Sequence, residues 1–293
     1  MNSNKNKENN NNPGSPFRGA GGITIQGFEG SFHQEAARKF FGKTVEVICC
    51  STFREVIKIA QDKKAAGGAV MAIENSIAGS ILPNYTLLQK SNLKIVGEIY
   101  LQIKQNLLVN PGVKLEDIRE VHSHPMALLQ CTDFLEQYNW KLIETEDTAL
   151  SAKHVHQHKS KHIAAIAGKL AAELYGLDII APNIHTQKNN YTRFLVLQHA
   201  DIASPVENAD KSSINFFTNH TKGSLVKVLS KIADGGINLS KLQSMPIPGS
   251  NFNYSFHADM EFKDTDQFYR TVEKIKPLVK GLAIYGVYKN GKK

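Results

Sequence analysis

From residue 23 to residue 198, strand-like and helix-like patterns alternate, and this restricts the chain to a layered α/β architecture. "GITIQG" is a short β-branched run. "GSFHQEAARKFFG" follows as a helix, with Ser31 and Gln34 at capping-box spacing, an apolar face from Ala36, Ala37, Phe40 and Phe41, and a stop at Gly42. "TVEVICC" and "GGAVMAI" read as strands on either side of the helix "STFREVIKIAQDKK". Next come a short helix at "ILPNYTLLQKS" and a long β-rich stretch, "LKIVGEIYLQIKQNLLVN". Strand–helix pairs follow at "REVHSH" and "PMALLQCTDFLEQY", at "WKLIE" and "TALSAKHVHQH", and at "HIAAIA" and "KLAAELYG". "DIIAPNI" and "NNYTRFLVLQ" close the run. Parallel strands are expected. The run is long for one sheet, so two α/β lobes with a central cleft are expected, with ligands at the C-terminal ends of strands.

The pattern changes at "QHADIASPVENADKS", which is polar, contains Pro205 and lacks periodicity; residues 199–211 read as a linker. Residues 212–293 then follow the order β-α-β-β-α-β, the ferredoxin-like arrangement. At the other end, residues 1–22 are Asn-, Gly- and Lys-rich, have no apolar signal-peptide core, and are expected to be disordered. No apolar run is long enough for a membrane span. Cys49, Cys50 and Cys131 are odd in number and form no CxxC, which argues against a disulfide framework or a zinc site and fits a reducing cytoplasm. The formal charge is +8, but the lysines are scattered and no aromatic-basic motif accompanies them. An anionic small molecule suits this excess at least as well as nucleic acid.

Several local patterns carry hydrogen-bonding groups to strand ends. "AIENSIAGS" puts Glu74, Asn75 and Ser76 directly after an apolar strand, in the place of a binding loop or a polar turn. "SHPMALLQC" has Ser123 at a strand end, Pro125 at the first helical position, and Gln130 two turns further on. Ser123 reads as a carboxylate donor or as a cap. "EDTALSA" sets Asp147 and Thr148 at a helix start, with capping the favoured reading. In "HVHQHKSKH" only His154 and His158 share a helical face and no carboxylate or Cys lies near, so a solvated face is favoured over a metal site. "GFEG" (Gly27, Gly30) lacks the full dinucleotide fingerprint. "NNYTRFLVLQ" crowds two Asn, a Tyr, Thr192 and Arg193 at the mouth of an apolar strand.

Taken together and in order, "GFEGSFHQEAA", "AIENSIAGS", "SHPMALLQC", "EDTALSA", "AAIAGKLAAELYGL" and "NNYTRFLVL" resemble the prephenate dehydratases over residues 23–198. Residues 212–293 look like an ACT domain, "GSLVKVLSKIADGGINLSKLQS" matching its helix-Gly-INL pattern. The polar tail is too short to be a chorismate mutase domain, so the resemblance is to a monofunctional dehydratase with a regulatory domain. It implies conversion of prephenate to phenylpyruvate by loss of carbon dioxide and water, with no cofactor and no metal. It assigns Thr192, Glu74, Asn75, Ser123 and Gln130 to catalysis, with Thr192 assisting departure of the hydroxide. Arg193, Ser76, Asn190, Ser31, Thr148 and Phe194 are assigned to substrate binding, Arg193 as a bidentate partner for a carboxylate. Adjacent strand residues face opposite ways, so Thr192 and Arg193 can both serve only if the strand start is irregular or Arg193 acts from the flank.

The resemblance further implies feedback control by L-phenylalanine at a site built from Gly223, Ser224, Leu225, Gly236, Asn238, Leu239 and Ser244, in a cytoplasmic homodimer or homotetramer. The family's ESRP motif here reads Gln243-Ser244-Met245-Pro246, which puts the effector's strength and identity in question. Removing residues 212–293 is expected to leave a folded or partly folded dehydratase that ignores phenylalanine. Arogenate dehydratase, the same chemistry on the amino-acid analogue, remains an alternative. So does a non-catalytic binding protein of the same two-lobed shape. No partner among nucleic acids or membranes is expected.

Overall fold

The computed structural model describes residues 21–219, 221–247 and 253–292; the tail read as disordered lies, up to residue 20, outside these. The first lobe runs β1 (Ile23–Gln26), α1 (Phe32–Phe41), β2 (Val47–Cys50), α2 (Phe53–Ala60), β3 (Gly68–Asn75), β4 (Gly79–Ser80), α3 (Leu82–Gln89) and β5 (Leu93–Gln102). The chain crosses at residues 103–105 into a second lobe. There it forms β6 (Asn106–Val109), β7 (Glu120–Ser123), α4 (Pro125–Gln130), α5 (Thr132–Leu135), β8 (Lys141–Glu144), α6 (Thr148–His158), β9 (Ile163–Ala167), α7 (Lys169–Tyr175) and β10 (Asp178–Ala181). It returns as β11 (Tyr191–His199). A third unit follows: β12 (Lys211–Phe217), α8 (Ser224–Asp234), β13 (Asn238–Pro246), β14 (Tyr254–Glu261), α9 (Thr265–Ile275) and β15 (Lys280–Tyr288).

The first sheet has the order β2-β1-β3-β11-β5 with β4 against β3, the second β10-β6-β9-β7-β8, and the third β13-β14-β12-β15. The third order is that of the ferredoxin-like arrangement. The expectation of parallel strands holds for β1 with β2 and β3 and for β7 with β8 and β9, and is corrected for the rest: β11 runs antiparallel to both β3 and β5, and β6 antiparallel to β9 and β10. The cause is the double crossing. β11 comes back from the second lobe and enters the first sheet against the direction of its neighbours. The same crossing divides the long β-rich stretch into β5 and β6. The helix expected over "PMALLQCTDFLEQY" is likewise two short helices, broken at Cys131 (φ −112°, ψ 16°).

Each lobe closes over its own core, but the third unit does not stand apart. Met245, Tyr285 and Tyr288 join one cluster with Met71, Ile73, Tyr85, Leu195 and Leu197 of the first lobe. Large apolar side chains buried like these contribute about 1.5–3 kcal/mol each. Strand β15 lies so close to β5 that a Cβ on Gly286 would collide with the Ile95 carbonyl oxygen. The lobes also meet tightly: Gly30 has φ +89°, and a Cβ there would lie 2.9 Å from Ala171 Cα of α7. Tyr175 Oη donates across the same junction to the Glu29 carbonyl at 2.8 Å. Among the described residues no helix is long and apolar enough to cross a membrane.

Candidate active site

The site is set by how β3 and β11 pair. Phe194 stands opposite Ala72 and Arg193 opposite Glu74, so Ile73 is an extra residue in β3, a bulge. Ile73 and Glu74 both point toward the third unit, Ile73 into the shared core and Glu74 to Lys241. Asn75 then falls opposite Thr192, on the face where Phe194 and Val196 pack against α1. A regular ladder would have placed Glu74 beside Thr192 instead.

On this face Asn75 Nδ2 donates to Thr192 Oγ1 at 3.0 Å and to Asn190 Oδ1 at 2.7 Å. Asn190 Nδ2 in turn donates to Gln130 Oε1 at 3.1 Å, which joins the first lobe to the second. Asn75 Oδ1 accepts from the amides of Ile77 and Ala78, fixing the amide's orientation. Because Thr192 Oγ1 accepts from Asn75, its own hydrogen turns away, and accepting sharpens it as a donor. The structure thus brings together Thr192, Asn75, Asn190 and Gln130. Ser76 supports them from the loop, its Oγ donating to the Asn189 carbonyl and accepting from the Tyr191 amide.

Other assigned residues lie elsewhere, and the expected facing of Arg193 and Glu74 toward Thr192 is corrected. Arg193 is sealed on the opposite face: Nε donates to Glu98 at 2.6 Å, Nη1 to Asp259 and Nη2 to Tyr288 Oη at 3.0 Å. The irregularity falls after Arg193, so alternation sends it away from Thr192. Burial alone would depress its pKa, but Asp259, Tyr288 and Glu98 hold it well above the ordinary value. Asp259 is buried too, yet Arg193 and His257 keep its carboxyl well below the usual range. Glu74 leaves the cleft with Arg193. Ser123 is fully buried and donates to the Ile166 carbonyl at 2.7 Å, while His124 caps α4. Phe194 is core, edge-on to His33 at 5.0 Å. Ser31 caps α1, and Thr148 opens α6 behind its cap Asp147. Burial pushes the Asp147 carboxyl up and lowers His33 to about 4. Among the described residues no group of His, Cys, Asp or Glu is placed to hold a metal.

Sequence reasoning missed Glu98, Lys211, Asp259, Tyr288 and Lys241. Lys211 Nζ reaches both Glu98 oxygens at 2.8 and 3.1 Å, so two cations and two carboxylates balance in the buried joint. The available signal was a single charge in an apolar strand, Glu98 in "IVGEIYL" and Asp259 in "SFHADMEF". The joint also lines a cavity of about 560 Å³ between the first lobe and the third unit.

The prephenate dehydratase family model matches residues 23–202. The chain belongs to the prephenate dehydratase family. A curated relative, arogenate dehydratase/prephenate dehydratase 1, chloroplastic, of Arabidopsis thaliana, is 38% identical over 83% of this chain. The chain spans 65% of that relative's length. A solved structure described as GqqA, a novel type of quorum quenching acylase, is 30% identical with a TM-score of 0.82, over 91% of this chain and 97% of that one. The prephenate dehydratase of Arthrobacter aurescens, solved with L-Phe, has a TM-score of 0.82 at 24% identity, over 92% of this chain and 90% of that one. This family's two-lobed layout is the one described above.

Proposed function

We propose that the protein is a prephenate dehydratase, a cofactor-independent lyase that forms phenylpyruvate, carbon dioxide and water. The observation that carries this reading is the Asn75–Thr192 hydrogen bond, set beside the Asn190–Gln130 bond that joins the two lobes. In the reaction the bond to the ring carboxylate breaks and its electron pair enters the ring. The carbon–oxygen bond opposite then breaks, the hydroxide leaves with that bond's own electron pair, and a proton from solvent converts it to water. Aromatisation supplies the driving force. Thr192 donates a hydrogen bond to the departing oxygen and stabilises its developing charge, a contribution of about 10²–10⁴-fold. Gln130, whose Nε2 has no described partner, and Asn190 hold the substrate from the second-lobe side. With Arg193 sealed away, the substrate's carboxylates meet uncharged donors in place of a guanidinium.

The acylase neighbour suggests a different reaction, which would require an activated nucleophile. Among its described hydrogen bonds Thr192 Oγ1 has only the Asn75 amide, a donor, and no base, so the geometry favours the lyase.

The third unit is read as an ACT domain that binds L-phenylalanine. Gly223, Ser224 and Leu225 sit at the N-terminal end of α8, while Gly236, Asn238 and Leu239 lie beyond its C-terminal end, about 16 Å away for eleven residues. A single chain therefore keeps the two groups apart, and we take their meeting, with Asn238 at the dimer interface, to be between two chains. Asn238 and Ser244 are exposed on β13, an edge strand of the third sheet, in keeping with a side-by-side homodimer. The test is turnover of purified protein on prephenate and on arogenate, each with and without phenylalanine. Phenylpyruvate from prephenate, suppressed by phenylalanine, is expected. Phenylalanine from arogenate alone would make it an arogenate dehydratase, and no turnover of either overturns the reading.

A further inference from the structure

Two cross-strand pairs face each other where the third unit meets the first lobe. On the first sheet Glu74 stands opposite Arg193, one register step before the Asn75–Thr192 pair. On the third sheet Lys241 stands opposite Asp259. The charges match crosswise. Lys241 Nζ lies 2.6 Å from Glu74 Oε1, and Asp259 takes the Arg193 guanidinium. Each pair adjoins a register shift in its own sheet, after Ala72 in β3 and between Leu239 and Lys241 in β13. Lys241 also donates to Ser80 Oγ at 2.7 Å and so holds the far end of the 75–80 loop. The side chains of Lys241, Arg193 and Asp259 are 10%, 4% and 0% exposed, and Glu74, at 34%, forms the open margin of the lock.

We propose that Lys241 and Asp259 are positioning residues for the reaction, setting the Asn75–Thr192 geometry by gripping the neighbouring residue on each strand. Neither touches the cleft. A shift of the third unit against the first lobe moves β3 and β11 at the residues next to the reacting pair, so a ligand bound to the third unit alters turnover along this route. Small displacements suffice, because a misplacement of about 1 Å can cost about 10²-fold in rate. The inference rests on the dehydratase reading for its kinetic effect but not for its geometry.

The test uses the full chain with Lys241→Met, Lys241→Arg and Asp259→Asn. For Lys241→Met the expected result is a fall in kcat of about 10- to 100-fold with KM within about twofold. Phenylalanine still binds by calorimetry but no longer changes turnover, and Lys241→Arg recovers most of kcat. Asp259→Asn is expected to lower kcat in the same sense if it folds; Lys241, at the lock's margin, keeps the test open if it does not. A Lys241→Met protein with wild-type kcat and an intact phenylalanine response overturns the proposal. So does a fall in melting temperature with no fall in kcat. If the wild type itself turns over neither substrate, the dehydratase reading fails separately. The lock is then judged by the Asn75 side-chain amide resonances, which move in Lys241→Met if the proposal holds and stay fixed if it does not.

Discussion

Asn75 Nδ2 lies 3.0 Å from Thr192 Oγ1, at a position that an unbroken alternation along β3 would have given to Glu74. The difference matters for a substrate that is itself anionic. A neutral amide beside the threonine donates, whereas a carboxylate there would repel.

The first prediction concerns this pair. Thr192→Ala should lower turnover of prephenate by about 10²-fold or more with little change in KM, and Thr192→Ser should retain much of it. Asn75→Ala should cost about 10²-fold through loss of the same donor. Steady-state kinetics on the three variants decides it; near-normal kcat in Thr192→Ala would remove the assignment.

Arg193 gives the second prediction, and it runs opposite to the role assigned from the motif. Arg193→Ala leaves Asp259 buried without its guanidinium and Glu98 with Lys211 alone, and breaking a buried pair in this way typically costs about 3–5 kcal/mol. Urea melts should show that loss, and the KM of whatever protein remains folded should be near normal. A weakened KM at unchanged stability would restore the carboxylate-binding role.

Truncation follows from the shared core. Without β12 to β15 the cluster around Met71 and Leu195 loses Met245, Tyr285 and Tyr288, and Glu98 loses Lys211. A chain ending at residue 210 should therefore lack a cooperative melt, in place of the phenylalanine-insensitive dehydratase expected from the sequence. A soluble truncated protein with a sharp transition in circular dichroism would contradict this.

Acid sensitivity has one source that can be isolated. The folded chain depresses His33 from 6.5 to about 4, chiefly by burial, and its Nε2 accepts from the Ala72 amide at 3.4 Å. Between those values the unfolded chain binds a proton that the folded one refuses. The stability is fully present above 6.5, is lost as pH falls toward 4, and stays level below that for this residue. His33→Phe should flatten the slope of melting temperature against pH in that window, and parallel slopes for the two proteins would refute it.

The lobe junction offers a fifth test. Gly30→Ala adds a methyl group 2.9 Å from Ala171 Cα at a residue with φ +89°. Overpacking of this kind costs about 1–3 kcal/mol. Chemical denaturation should register it, and an unchanged midpoint would mean that the lobes part more readily than their contact implies.

The alternation of patterns was enough to read two lobes and a β-α-β-β-α-β unit, because amphipathic periods and caps such as Ser31, Thr52 and Asp147 are local. Thr192, Asn75, Asn190 and Gln130 were also legible, as motifs clustered at strand ends. Facing was not. Whether Arg193 or Thr192 meets the cleft depends on which strand β11 enters between and on one unpaired residue in β3, and neither leaves a mark in composition. Partner choice for Glu98 and Asp259 is set by strands 66 to 113 residues away, so a lone charge in an apolar run could be noticed but not matched.

Ile73 has no partner on β11, and its carbonyl accepts instead from the Ile81 amide at the head of α3. Replacing it and excising it are therefore different events. Ile73→Ala empties a place in the core and leaves the register alone. Loss of the whole codon closes the ladder, with Glu74 still opposite Arg193 and Asn75 still opposite Thr192. At this one point the chemistry is indifferent to chain length. A chain shortened by this one residue keeps the same two side chains in the same two places.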